Sequence, residues 1–311
     1  MEIILHLGAH RTATTSFQHY MHANAATLAA CGVGYWGPDV TRDGTLTGVI
    51  PLPGGESATR QMERARGRIA LRLAQARKAG LRRIVVSDEN MIGAARRNLR
   101  QGQLYDGAGE RIARFAYAFD GRITRAALSV RGQDAWWSSA LAYGVARGHR
   151  LPETGDLDRL VTVNRHWRDM IHDIACALPD VDLAVLPHEI HGSRPEDRLH
   201  HMTGLEGVPH RASRVWLHRA PDLAALRRAV ATRGGDAGLL PECEGRWQPF
   251  DADQKQALQE AYADDLFWLS AGADGLARLI EETGPKEAGI QPPDGSTTRG
   301  QENGIEERRL A

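Results

Sequence analysis

A chain of 311 residues with 39 Lys+Arg balanced by 39 Asp+Glu can bury a large core as one big α/β domain or two smaller ones, and its neutral balance points to neither nucleic acid nor a membrane surface. The three cysteines, Cys31, Cys176 and Cys243, are far apart and show no C-x-x-C spacing, which argues against a metal or disulfide framework. No apolar run approaches the ~20 residues that span a bilayer, and Glu2 followed at once by a β-type run argues against a signal peptide, so a soluble, cytoplasmic protein with no membrane span is expected.

The chain opens with Ile3-Ile4-Leu5-His6-Leu7, a short apolar run with the look of a buried strand. Gly8 starts a small turn, and Thr12, Thr14, Thr15 and Ser16 open a run of helix formers. Strand, small-residue loop and helix N-terminus together make an anion cradle, because the first amides of a helix have no partners within it. The hydroxyls add donors, and Arg11 adds a charge able to fork onto a phosphate or sulfate. The alternative is an ordinary strand-to-helix turn. The nucleotide-hydrolase pattern G-x-x-x-x-G-K-[ST] is not met: counting from Gly8, Ala13 and Thr14 stand where Gly and Lys belong, and only Thr15 fits.

A helix is expected from Thr14 to about Ala30 with Gly32 as its stop, then a strand over Val33–Trp36. Residues 37 to 57, rich in Gly and Pro and lacking a helical period, read as a loop. Ser57 caps the next helix, which runs through Lys78 to Gly80 with its arginines on a solvated face. Arg83–Ser87 is a strand leading into Asp88-Glu89-Asn90, where polar residues past a strand end line the crevice of an open α/β sheet. A weakly periodic helix covers about 106 to 119, and a strand over Ile123–Val130 stops at Arg131. Gln133 to Val145 is helical by composition, with at least one of Trp136 and Trp137 packing it onto the sheet.

Helices near 156–162 and 165–178 precede a strand over Val181–Leu186. His188, His191, His200 and His201 follow, but His-Glu-Ile-His lacks the four-residue spacing of a zinc helix and reads as scattered histidines. An irregular stretch at 205–220 carries Arg211, Arg214 and Arg219. Helices at about 221–233, 251–270 (capped by Asp251) and 273–282 close a single domain over residues 1–283. Residues 284–311, almost without apolar content, are expected to be a disordered tail.

The segment His10-Arg11-Thr12-Ala13-Thr14-Thr15 resembles the phosphosulfate loop, roughly P-K-[ST]-[GA]-[ST]-[TS], of sulfotransferases that use 3′-phosphoadenosine 5′-phosphosulfate (PAPS). Arg131 with Ser139 eight residues later resembles that family's second signature, which holds the 3′-phosphate, and Ser87-Asp88-Glu89-Asn90 is similar to a strand end common in its bacterial members. The resemblance covers roughly residues 1 to 280. It implies a three-layer α/β fold, a mostly parallel sheet flanked by helices with a helical C-terminal part. It also implies sulfuryl transfer from PAPS, without a metal, to a hydroxyl or amine of an unidentified acceptor (carbohydrate, lipid or small molecule). His10, Arg11, Thr12, Ala13, Thr14, Thr15, Arg131 and Ser139 then hold the donor, Arg11 stabilises the leaving phosphate, and Glu89 is the general base with His10 as runner-up. A basic segment at 205–220 approaches the donor in such enzymes, while residues 37–57 and 90–110 would shape the acceptor pocket. Two departures stand out. Arg11 replaces the family's Lys, so it stabilises charge without donating a proton, and Ala13 replaces a frequent Gly, which fits if that position keeps helical dihedrals. A P-loop kinase, which would need Mg²⁺ and ATP, and a catalytically silent nucleotide-binding or scaffolding relative are the alternatives.

Overall fold

In the computed structural model, which describes residues 1–54 and 56–281, six strands form one parallel sheet in the order β2-β3-β1-β4-β5-β6. They are β1 (Glu2–Gly8), β2 (Val33–Trp36), β3 (Arg83–Ser87), β4 (Ile123–Val130), β5 (Asp182–Pro187) and β6 (Arg278–Leu279). β1 pairs with β3 on one side and β4 on the other, so the chain fills one half of the sheet and then the other. That order puts the carboxyl end of β1 at the topological switch point, where open parallel sheets form their ligand crevice.

Parallel strands need crossovers, and these lay helices on both faces. Alternation along β1 divides its side chains accordingly. Ile3, Leu5 and Leu7 join the larger apolar core, with Ile69 and Leu73 of the helix Ala58–Lys78, Ile112 and Phe115 of Ala108–Ala118, and Trp136 of Gln133–Val145. Ile4 faces the other way, toward Phe17, Tyr20 and Met21 of the helix Thr14–Ala23 and Leu199 and Met202 of Pro195–Thr203. The result is the expected three-layer α/β arrangement. No helix among the described residues is long and apolar enough to cross a membrane.

Several expectations need correction. The helix expected over 14–30 breaks at buried Asn24, whose amide donates to the carbonyls of Tyr20 and Arg211, both at 2.8 Å. The 37–57 loop contains helical turns at Pro38–Val40 and Thr41–Thr45. They are held from a distance, because Thr41 and Arg42 both donate to Asp88. The helix expected at 273–282 is a short turn, Ala273–Gly275, followed by edge strand β6, which pairs with Ala184 and Val185. The tail assigned to 284–311 lies outside the described residues.

Candidate functional site

Four consecutive carbonyls fix the loop after β1. Ala9 O accepts from the hydroxyls of Thr12 (2.6 Å) and Thr14 (3.1 Å). His10 O accepts from the Trp136 indole (2.6 Å), Arg11 O from Arg131 Nη1 (2.9 Å) and Thr12 O from Arg198 Nη2 (2.8 Å). In a trans peptide the next N–H points opposite its C=O. Of the amides that follow, His10 N donates to the Tyr105 hydroxyl (2.9 Å) and Thr12 N to Ala9 O (3.3 Å), whereas those of Arg11 and Ala13 have no partner among the described residues. Arg11 (φ 66) and Ala13 (φ 63) adopt left-handed backbone, the alternation that makes an anion-binding nest. Helix Thr14–Ala23 continues it with first-turn amides that have no carbonyl a turn earlier.

This geometry overturns two details. Ala13 does not keep helical dihedrals; it bears a backbone strain that a glycine would not. The hydroxyls of Thr12 and Thr14 are buried against Ala9 O and brace the loop from within. Ser16 is likewise engaged, accepting from the Leu217 amide at 2.9 Å. Thr15 is the hydroxyl residue of the loop that keeps a half-exposed place on the cleft. Gly8 is required by packing, since a Cβ there would collide with Thr14 Oγ1 and sit 2.7 Å from His6 Cε1. His6 is the expected packed histidine, fully buried with Nδ1 2.8 Å from Ser87 Oγ.

The two motifs, more than a hundred residues apart, meet. Arg11 Nε donates to Ser139 Oγ at 2.9 Å, and Nη1 to His218 O at 3.0 Å. Burial, reinforced by Arg131, Arg147 and Arg246, pushes the Arg11 pKa down to about 10, so it stays a cation at neutral pH. Trp167 fixes the far end of the pair by donating to Arg131 O at 2.7 Å. Both tryptophans of the Trp136-Trp137 pair are buried, and Trp136 combines core packing with its grip on the loop.

A cleft of about 650 Å³ opens over this loop. Its lining includes Arg11, Arg96, Arg131, Arg147, Arg219 and Arg246, against one carboxylate, Glu89. The neutral chain thus concentrates positive charge beside the unbonded amides of Arg11 and Ala13. Tyr143 lies beneath two of these guanidiniums, Arg11 at 4.7 Å and Arg147 at 3.6 Å from the ring centroid. Ser139 and Tyr143, four residues apart, share one face of the helix Gln133–Val145, and Arg147, four residues further on, lies in the turn just past its end. That spacing was readable, but in a chain so rich in arginine it gave no contrast. Arg246 and His188 carried no signal that sets them apart.

Glu89 reaches the cleft edge, although its carboxylate is already shared by Arg42 Nη2 and Gln18 Nε2, both at 2.9 Å. His10 is poorly suited to the role of base. Its amide donates to the Tyr105 hydroxyl (2.9 Å), and that hydroxyl donates to Nδ1 (2.9 Å), an arrangement satisfying all three groups. The imidazole proton is then on Nε2 and the lone pair is occupied. Burial also holds its pKa below the usual range, against the opposing pull of Glu89 and Asp88.

Segment 205–220 is brought over the cleft by helix Thr14–Ala23 and the residue after it. Tyr20 donates to Pro209 O (2.7 Å), Asn24 to Arg211 O, and Ser16 holds Leu217, a ladder at four-residue steps. Of its three arginines, Arg219 lines the cleft, stacked on Trp216, while Arg214 pairs with Glu196 at 2.7 Å. From residues 90–110 the helix Ala95–Gln101 contributes Ala95, Arg96 and Leu99; none of the described residues of 37–57 lines the cleft. No protein-family model, curated protein or solved structure matches this chain.

Proposed function

We propose that this protein is a P-loop sulfotransferase-like enzyme that moves a sulfuryl group from PAPS to an acceptor hydroxyl or amine. The observation that carries the reading is the capture of carbonyls 9–12, which leaves the amides of Arg11 and Ala13 unbonded beside a cleft where Arg11, Arg131 and Ser139 converge. Unbonded amides with fixed guanidiniums suit a dianionic group, and the second anchor suits a donor with a second phosphate. His10, Arg11, Ala13 and Thr15 border the donor, and Thr12 and Thr14 shape its loop.

In the reaction the acceptor oxygen or nitrogen bonds to sulfur as the bond from sulfur to the bridging phosphate oxygen breaks. Adenosine 3′,5′-bisphosphate leaves. Arg11, a cation throughout, stabilises the charge that grows on the leaving phosphate. Glu89 takes the acceptor proton. Two experiments test this. Adenosine 3′,5′-bisphosphate at millimolar concentration should raise Tm, and the shift should vanish in Arg131→Ala; no shift in the wild type removes the donor assignment. Glu89→Gln should lower kcat at least about tenfold while keeping bisphosphate affinity, and unchanged turnover excludes Glu89 as the base.

The engagement of Glu89 by Arg42 and Gln18 favours one other reading, a binding protein without transfer. Bisphosphate binding with no transfer from labelled PAPS across a broad acceptor panel would select it.

A further inference from the structure

Beneath the loop lies a charge that nothing so far explains. Arg198, on the helix Pro195–Thr203, is 1% exposed and among the largest fully buried side chains. Its Nε donates to His191 O and its Nη2 to Thr12 O, each at 2.8 Å; Nη1 has no partner among the described residues. Both acceptors are neutral. The acid two residues earlier on the same helix, Glu196, pairs with Arg214 instead. A buried cation without a counter-charge is costly. Burial is the cause that lowers the Arg198 pKa to about 10, and at neutral pH the group remains charged.

The surroundings repeat the pattern. Gly8 pairs in register with Ser129, and Val130 with Pro187, so alternation sets His6, Ser129 and His188 beyond Ile4, Ala127 and Leu186 on the sheet face that this helix covers. His6 Nε2, Ser129 Oγ and His188 Nδ1 are all buried without hydrogen-bond partners among the described residues. The Arg198 charge acts on both imidazoles, which burial foremost depresses to about 3, so neither is a competing cation. A core that leaves three polar atoms unmatched beside one guanidinium without a counter-charge is arranged around a charge that arrives from outside.

We infer that Arg198 is a positioning residue of the anion site. It holds the Thr12 carbonyl so that the Ala13 amide is left for the cleft, and the phosphate or sulfate group seated above is its counter-charge. The inference rests on reading the loop as an anion cradle. It adds that the cradle is charged from below as well as from the cleft walls, and that the ligand-free protein carries an uncompensated cation.

The test uses the full chain with inorganic sulfate and adenosine 3′,5′-bisphosphate as separate probes. Arg198→Gln keeps an amide donor for the Thr12 carbonyl but removes the charge; Arg198→Lys keeps the charge. Arg198→Gln should leave the ligand-free Tm close to wild type or raise it while weakening both probes about tenfold or more. Arg198→Lys should restore most of that affinity. Wild-type affinity in Arg198→Gln, or equal losses in both variants that follow their ligand-free Tm, makes Arg198 a structural residue and overturns the inference. A wild type that binds sulfate but not the bisphosphate defeats the PAPS reading alone, and Arg198 is then judged on sulfate. A wild type that binds neither defeats both. Should Arg198→Gln fail to fold, the Arg198 Nε–H signal of the wild type, followed by NMR, should shift on adding sulfate, and an unmoved signal rejects the counter-charge.

Discussion

The carboxyl ends of β1 and β3 are neighbours in the sheet, yet they handle charge in opposite ways. At the end of β3, Asp88 accepts from Arg42 (2.9 and 2.8 Å), Thr41 (2.7 Å) and the Asn90 amide (2.9 Å), and Arg42 also reaches Glu89. At the end of β1, Arg11, Arg131 and Arg198 donate to a hydroxyl and to carbonyls, and none of them forms an ion pair among the described residues, although Glu189 and Asp134 act on Arg131 from a distance. The first arrangement is complete as folded. The second leaves a positive field that, on the proposed function, a bound anion completes, and that difference, more than the number of arginines, would separate a brace from a binding site.

The largest effects should come from exchanging these roles. Arg131→Ala should weaken bisphosphate binding by about 2–3 kcal/mol with little change in ligand-free Tm, whereas Arg42→Ala should lower ligand-free stability by about 1–3 kcal/mol and spare binding. Calorimetric titration and denaturant unfolding on both variants measure the contrast, and a large binding loss in Arg42→Ala would erase it. Acid sharpens the β3 end. Burial raises the Asp88 pKa, but the hydrogen bonds from Arg42, Thr41 and Asn90 outweigh it and hold the carboxyl below its usual range. Its stabilisation is therefore present above the unfolded pKa and is lost as pH falls through the folded value, below about pH 4.

A second pH effect belongs to the β1 side. His6 and His188 stay neutral in the folded protein down to about 3, while in the unfolded chain they take up protons near 6.5. Between those limits the unfolded state binds more protons, so stability falls as pH drops below about 6.5, by up to about 1.4 kcal/mol per pH unit for each group. Unfolding at pH 7.5 and pH 5 should show the slope, and His6→Asn should flatten it; an unchanged slope would mean that His6 is already protonated in the fold. The smallest effect is Ala13→Gly. Removing the left-handed strain at φ 63 gains more than glycine's extra unfolded freedom costs, a net gain of about 0.5 kcal/mol and a Tm higher by about 1–2 °C.

The sheet was legible because its strands are short apolar runs ended by turn residues, and β1 to β5 lie within a residue or two of where those runs place them. β6 was not: Leu276, Ala277, Leu279 and Ile280 resemble a helical stripe, and only pairing with β5, far away in sequence, makes an edge strand of Arg278 and Leu279. The loop 10–15 and the pair Arg131/Ser139 could be read because each is local. Arg198 could not, since nothing around Asp197 and Leu199 distinguishes it from the other arginines until the fold sets it under Thr12. Ala13 failed for the same reason, because its dihedrals are imposed by what grips carbonyls 9–12.

The ladder of Ser16, Tyr20 and Asn24 has a mechanical consequence. The helix that begins at the cradle also carries the roof of the cleft, so raising the roof alone would break these three hydrogen bonds and the one from Arg11 to His218 O, at about 0.5–1.5 kcal/mol each. Floor and roof form one casting. Exchange of solutes is therefore expected along the flank formed by Ala95–Leu99 and Gly144–His149, with the roof acting as a fixed eave rather than a shutter.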